Sequence, residues 1–185
     1  MIEQILKDTD SKMQKTVIAL THELATIRTG RATPALVDHI KVDYHGVLTP
    51  LNQIASISIP EAKMILIQPW DRTSIRDIEK AILKSELGLN PTSDGNAIRV
   101  VIPALTEERR KDLIKAVHKR LEETRIALRN IRRDGIEGLK RAEKEKQISQ
   151  DQLTRSTEQM QKLIDSFIDK VNKIGHDKEA EIMEI

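Results

Sequence analysis

Several arginines in the second half of the chain have the chemistry needed to bind phosphate groups. On the helix that contains Arg110, which turns about 100° per residue, four of them fall on one flank of the apolar face. They are Arg125, Arg129, Arg132 and Arg133. Their planar guanidinium groups suit phosphate oxygens and base edges better than a compact ammonium does. The pattern favours contact with an RNA backbone, although a solvated helix surface carries similar charges and remains the alternative.

The charge balance along the chain points to the same segment. The whole chain carries a formal net charge of only +2, yet residues 104–146 hold 14 Lys and Arg against 9 Asp and Glu. The three aromatic residues, Tyr44, Trp70 and Phe167, are too few for base-stacking platforms. We therefore expect binding to follow the shape and phosphate charge of folded RNA. Phe167 is predicted to lie in the core and Trp70 to pack within a small domain.

The usual signatures of catalysis are missing from the sequence. There is no cysteine, which excludes a thiol nucleophile and thiolate metal sites. Phosphate-cradling glycine loops and nucleophile-elbow motifs are absent as well. The five histidines show no pairing at the spacing of ligands on one helix face. The sequence predicts a protein that is not an enzyme, with no catalytic residue, no metal site and no cofactor.

Three long amphipathic helices must position the arginines. Apolar residues recur at helical spacing from Leu6 to Ile27, where Gly30 is expected to end the first helix. A second helix of about 40 residues follows the N-cap Thr106, and a capping box at Ser149 and Gln152 begins a third. None can bury its apolar face alone, so residues 1–30 and 104–185 predict a three-helix bundle. Gly135 lies on the apolar face of the second helix, where we expect it to allow close helix packing rather than a functional bend.

The segment between the first two helices has a different pattern. Residues 31–103 show alternating strand-like runs, a turn at His45–Gly46, and one helix between Thr73 and Leu87. They predict a small α+β unit inserted into the bundle. The two short connections to the bundle are expected to act as a hinge, formed by Gly30, Thr33, Pro34, Pro103 and Ala104. Without a signal peptide or membrane span, a cytoplasmic monomer is expected.

Four ordered blocks of sequence carry a resemblance that extends over the whole chain. They are IRTGRATP at 27–34, LGLNP at 87–91, LTEERRKDL at 105–113 and RNIRRD at 129–134. With these blocks the chain closely resembles the bacterial ribosome recycling factor family. The resemblance implies an α+β fold in which an elongated three-helix bundle carries an inserted β/α/β domain, in an L shape.

The resemblance also implies a function. The family acts after translation termination, binds large-subunit rRNA of the post-termination ribosome, and splits the subunits with elongation factor G and GTP. Carried to matching positions, the implied RNA contacts are Arg28, Arg31, Arg110, Arg129, Arg132 and Arg133. For Arg31, a salt bridge within the linker is the alternative. For the whole protein, the alternative is a charged helical adaptor that binds protein partners without RNA.

Overall fold

The computed structural model describes residues 1–27 and 29–184, and in it the chain divides into two compact units. One contains residues 1–24 and 111–180, and the other contains residues 25–110 and 181–185. Three long helices run through the chain: α1 (Ile2–Ala25), α3 (Glu107–Lys144) and α4 (Gln150–Met183). A short helix, α2 (Ile75–Lys84), and six strands lie between α1 and α3. The predicted α+β class is confirmed.

The first unit is the predicted three-helix bundle, and its core follows the predicted apolar faces. The buried side chains come from all three helices: Thr9, Met13, Val17, Leu20 and Leu24 of α1, seven residues of α3 from Leu113 to Ala142, and Met160, Ile164, Phe167 and Val171 of α4. Ile174 of α4 is partly buried, and its neighbours Gly175 and Lys178 are buried. The side chain of Leu121 on α3 packs directly against Gly175, where a Cβ atom would have no room.

Gly135 lies where the three helices meet. A Cβ atom at this position would come within 2.8 Å of both Met160 Cε on α4 and Thr9 Oγ1 on α1. The glycine therefore permits close helix packing, as predicted, and this packing offsets the roughly 1 kcal/mol that a glycine costs inside a helix.

Both predicted helix caps are present. Thr106 Oγ1 accepts a hydrogen bond from the backbone N–H of Arg109 (3.1 Å), which satisfies a donor in the first turn of α3. At the start of α4, the backbone N–H of Gln152 donates to Ser149 Oγ (3.1 Å), and Gln152 Oε1 accepts from the backbone N–H of Ser149 (2.8 Å). This reciprocal pair is a capping box.

The predicted end of the first helix at Gly30 is wrong by about one turn, since α1 ends at Ala25. The segment that follows is held by partners outside the helix. The hydroxyl of Thr29 donates to Glu181 Oε1 (2.9 Å), and the backbone N–H of Ala32 donates to the carbonyl of Ala62 (2.8 Å). Gly30 does adopt a left-handed conformation, with φ +79°, within this segment.

The second unit contains two antiparallel sheets. A hairpin pairs β1 (Lys41–Tyr44) with β2 (Val47–Pro50) through the predicted turn at His45 and Gly46, both of which have positive φ. The larger sheet has the order β3-β4-β6-β5 and consists of β3 (Ala55–Glu61), β4 (Met64–Pro69), β5 (Pro91–Ser93) and β6 (Ile98–Val101). Helix α2 and these strands enclose an aliphatic core that includes Val42, Ile65, Ile78 and Val100.

Three details of this unit differ from the prediction. Strands β2 and β5 were not expected, because their sequences, VLTP and PTS, end or begin with proline and show no apolar alternation. Helix α2 is shorter than the predicted 73–87, since Asp71 caps a 3-10 turn before it and the backbone at Ser85 is extended. Trp70 does not pack into the domain, and 69% of its surface is exposed.

Candidate RNA-binding surface

The outer face of α3 carries a row of exposed cations that we call the basic ridge. The α-helical repeat projects them within an arc of about 80°. They are Lys115, Lys119, Arg129, Arg133, Lys140 and Lys144, all exposed. Between Lys115 and Lys144, two exposed carboxylates, Glu122 and Glu137, lie on the same face. Six cations against two anions make this part of the face positively charged.

The two arginines of the basic ridge differ in how far their charge is paired. Within residues 1–27 and 29–184, Arg133 makes neither a hydrogen bond nor an ion pair, and its side chain is exposed. Arg129 is also half in solvent, but its Nη1 lies 3.3 Å from Glu122 Oε1. Arg133 is therefore the more available of the two to an approaching phosphate.

Two other arginines of α3, Arg125 and Arg132, lie beside the basic ridge and point toward α4. Arg125 donates from Nε (3.2 Å) and Nη2 (2.7 Å) to Asn172 Oδ1, and only 25% of its side chain is exposed. Arg132 donates from Nη1 to Gln161 Oε1 (3.0 Å), and its buried Nε has no partner in the described part of the chain. These arginines tie α3 to α4, and the predicted RNA contact of Arg132 stays a prediction.

Two other arginines predicted to contact RNA lie outside the first unit, which we call the helical unit. Arg28 falls outside the described residues. Arg31 and Arg110 belong to the second unit, where Arg31 Nη1 lies 3.5 Å from Glu184 Oε2 and Arg110 is half-buried in the first turn of α3. Arg31 thus forms a salt bridge with a residue outside the linker, and its predicted RNA contact stays a prediction. The structure brings together Arg129, Arg132 and Arg133 on one helix.

The five predicted hinge residues all lie in the second unit. Thr33 is extended (φ −137°, ψ 146°) and precedes the 3-10 turn Pro34–Leu36. Pro103 and Ala104 are exposed between β6 and α3. Their role in a hinge stays a prediction.

Polar contacts between the helices were not foreseen from the sequence. Arg120 pairs with Glu23 on α1 and with Glu123 on its own helix, and His118 contacts Glu179 on α4. The spacing of Arg120 and Glu123 signals the local pair, whereas nothing in one sequence specifies partners on other helices.

No group of three His, Cys, Asp or Glu suited to a metal ion occurs in the described part of the chain. None of its helices is long and apolar enough to cross a membrane.

Together, the fold and this surface define an α+β protein whose long helices expose a positively charged face. The sequence model of the family described as Ribosome recycling factor matches residues 20–183. The chain belongs to the ribosome recycling factor family, as its sequence blocks suggested.

Comparison with individual proteins agrees with this assignment. The chain is 54% identical to the ribosome-recycling factor of Bacillus subtilis (strain 168) and 55% identical to that of Dehalococcoides mccartyi (strain ATCC BAA-2266 / KCTC 15142 / 195), each over the full length of both chains. A solution structure of the ribosome recycling factor is similar, with a TM-score of 0.80 and 46% identity, covering 100% of this chain and 98% of that one.

A second similar structure contains the ribosome recycling factor of T. thermophilus. It has a TM-score of 0.70 and 46% identity, and the match covers both chains completely. That structure describes the factor and the E. coli elongation factor G bound to the E. coli post-termination complex.

Proposed function

We propose that the protein recycles ribosomes after translation termination. It binds large-subunit rRNA of the post-termination complex and, together with elongation factor G and GTP, promotes splitting of the ribosome into subunits. Membership of the ribosome recycling factor family supports this role. The T. thermophilus relative, which is bound to a post-termination complex alongside elongation factor G, supports the choice of partners.

The observation that carries the RNA-binding part of the proposal is the basic ridge. Its six cations follow a single helix of 38 residues, and the guanidinium of Arg133 is exposed without a partner in the described residues. A row of exposed cations attracts the negatively charged phosphate backbone of RNA. Charge-assisted hydrogen bonds to phosphate then fix the protein in register without reading base sequence.

The protein acts mechanically in this proposal, without catalytic chemistry of its own. GTP is bound and hydrolysed by elongation factor G, which pushes on the inserted domain (residues 31–103). The linkers at Gly30, Thr33 and Pro34, and at Pro103 and Ala104, let this domain turn while the bundle (residues 1–30 and 104–185) stays on the RNA. We propose that the protein works as a cytoplasmic monomer.

The test compares Arg133→Gln with a matched control, Arg155→Gln, which removes an exposed arginine from α4. We expect Arg133→Gln to weaken binding to purified large subunits roughly three- to tenfold at low salt and to reduce the salt dependence by about one phosphate contact. Splitting of post-termination ribosomes with elongation factor G and GTP should slow in parallel. Equal binding by the two variants throughout a salt titration would contradict the proposed surface.

Sedimentation of the wild-type protein separates the proposal from the adaptor alternative. A recycling factor pellets with purified large subunits, and the pelleted fraction falls steeply as salt is raised. An adaptor that binds only protein partners stays in the supernatant under all of these conditions. The second result would reject RNA binding as the basis of the function.

A further inference from the structure

The carboxylate of Glu122 interrupts the basic ridge between Lys119 and Arg129. Glu122 Oε1 lies 3.3 Å from Arg129 Nη1, and Glu122 Oε2 lies 3.3 Å from Arg125 Nη1. The side chains of Glu122 and Arg129 are 51% and 50% exposed, so this pair stands in the path of a ligand approaching the ridge. Glu137, the other carboxylate on this face, forms no ion pair with an arginine in the described residues.

The carboxylate of Glu122 is held in place by contacts that reach across to α4. Asn172 on α4 accepts two hydrogen bonds from Arg125, which fixes that guanidinium between the two helices. The remaining end of Arg125 donates to Glu122, which in turn reaches Arg129. A chain of polar contacts thus runs from α4 to the surface of α3 and sets the position of one negative charge on the basic ridge.

We propose that Glu122 is a specificity-determining residue that screens Arg129 from non-cognate RNA. The inference rests on the proposed function, since it concerns the same surface. A phosphate that approaches Arg129 also meets the fixed negative charge of Glu122, and this repulsion weakens isolated contacts. An RNA surface whose phosphates engage several cations at once overcomes the repulsion, whereas a flexible RNA that makes scattered contacts does not. Selectivity of this kind comes from a repulsive element as much as from attractive ones.

The test uses the full-length protein with two RNA probes, purified large ribosomal subunits and poly(U). Glu122→Gln removes the charge but keeps an oxygen that accepts the hydrogen bond from Arg125. The control Glu137→Gln removes the same charge from the same face without altering an arginine pair. We expect Glu122→Gln to bind poly(U) roughly three- to tenfold more tightly than the wild type at low ionic strength, with the gain fading at high salt. The control should change less than about twofold, since its charge screens no arginine.

The affinity ratio between large subunits and poly(U) should fall in Glu122→Gln. The gain for poly(U) should disappear in Glu122→Gln combined with Arg129→Gln, because the screened cation is then missing. Equal poly(U) affinities for the Glu122 and Glu137 variants, or a gain that survives loss of Arg129, would overturn the inference. Failure of the wild type to bind large subunits would instead reject the proposed function, and the poly(U) comparison would still decide whether Glu122 screens Arg129.

Discussion

The two units of the protein expose different kinds of surface. The helical unit buries apolar faces along three helices and presents charged side chains outward, including the six cations of the basic ridge. Among the described residues, the second unit leaves more large apolar side chains in solvent than the helical unit does: Val47, Leu48, Trp70, Leu83, Val101 and Met183, against Met1, Ile18 and Ile126. A charged face suits RNA, and exposed apolar side chains suit contact with another protein. This difference fits the proposed division, in which one unit holds RNA and the other receives the partner.

The units also differ in what holds them together. The helical unit depends on one long apolar seam and on polar contacts between helices, such as Arg125 with Asn172 and Arg132 with Gln161. The second unit depends on a compact aliphatic core beneath a sheet of short strands. Changes in the two cores should therefore affect different parts of the molecule.

The largest effect should come from a cavity in the helical seam. Leu128 is fully buried on α3, and we expect Leu128→Ala to lower the free energy of unfolding by about 3 kcal/mol. The matched control is Ile126→Ala on the same helix, where 49% of the residue is exposed and a change below about 0.5 kcal/mol is expected. Far-UV circular dichroism follows the helices, and the NMR signals of the β4 and β6 backbone amides follow the second unit.

The two signals test the comparison between the units. Leu128→Ala should shift the circular dichroism transition to lower urea and shift the transition of the sheet amide signals less. If both signals move together by the same amount, the two cores unfold as one cooperative structure. The contrast drawn between their sources of stability would then be wrong.

Helix periodicity explains why so much of the helical unit could be predicted. An apolar residue at every third or fourth position identifies the buried face, and Leu113, Val117 and Leu128 are buried as expected. The caps at Thr106 and Ser149 were predictable because the side chain bonds its own helix terminus. Such interactions are local, so the sequence contains all of their partners.

Non-local partners limited the rest of the prediction. On the helical projection Arg125 and Arg132 lie next to Arg129 and Arg133, and only the position of α4 determines that the first two face a neighbouring helix. In the segment after α1, Thr29 likewise bonds a distant partner, Glu181, more than 150 residues away in the chain. Trp70 was expected to be buried as aromatic residues often are, but it follows directly after β4 and extends into solvent.

Smaller effects are expected from two glycine substitutions, one in each unit, which should change the free energy of unfolding in opposite directions. Gly30 has φ +79°, so Gly30→Ala should cost about 1 kcal/mol through backbone strain, since Leu105 Cγ would be at an ordinary 3.6 Å from the new Cβ. Gly138 is helical and has room for a Cβ, with Ile5 Cδ1 3.8 Å away. Gly138→Ala should therefore stabilise the protein by up to about 1 kcal/mol. Urea unfolding measures both changes.

The same glycine pair tests the proposed hinge. If the linker at Gly30 must turn during recycling, Gly30→Ala should leave binding to large subunits unchanged and slow subunit splitting with elongation factor G and GTP. Gly138→Ala changes a glycine far from the linkers and should split ribosomes at the wild-type rate. Normal splitting by Gly30→Ala would remove this residue from the hinge.

The smallest effect concerns acid stability of the second unit. The Arg99 guanidinium donates to Asp94 Oδ2 (2.7 Å), and the backbone N–H groups of Asn96 and Ala97 donate to Asp94 Oδ1 (3.0 Å each). These hydrogen bonds, that from Arg99 first, hold the pKa of Asp94 well below its ordinary value. A carboxyl whose pKa is lower in the folded state contributes stability above its unfolded pKa. That contribution is lost as the pH falls through the folded pKa.

Asp94→Asn should therefore be slightly less stable than the wild type at neutral pH, and the difference should shrink as the pH falls below about 4. The matched control is Asp43→Asn. Asp43 is exposed on β1, and its carboxylate accepts no such hydrogen bonds in the described part of the chain. Urea midpoints from the NMR signals of the β4 and β6 amides, measured at several pH values, give the comparison. If the ionised carboxylate stabilises the turn, its protonation in acid must remove that stabilisation. A difference in stability between Asp94→Asn and the wild type that stays constant into acid would contradict this.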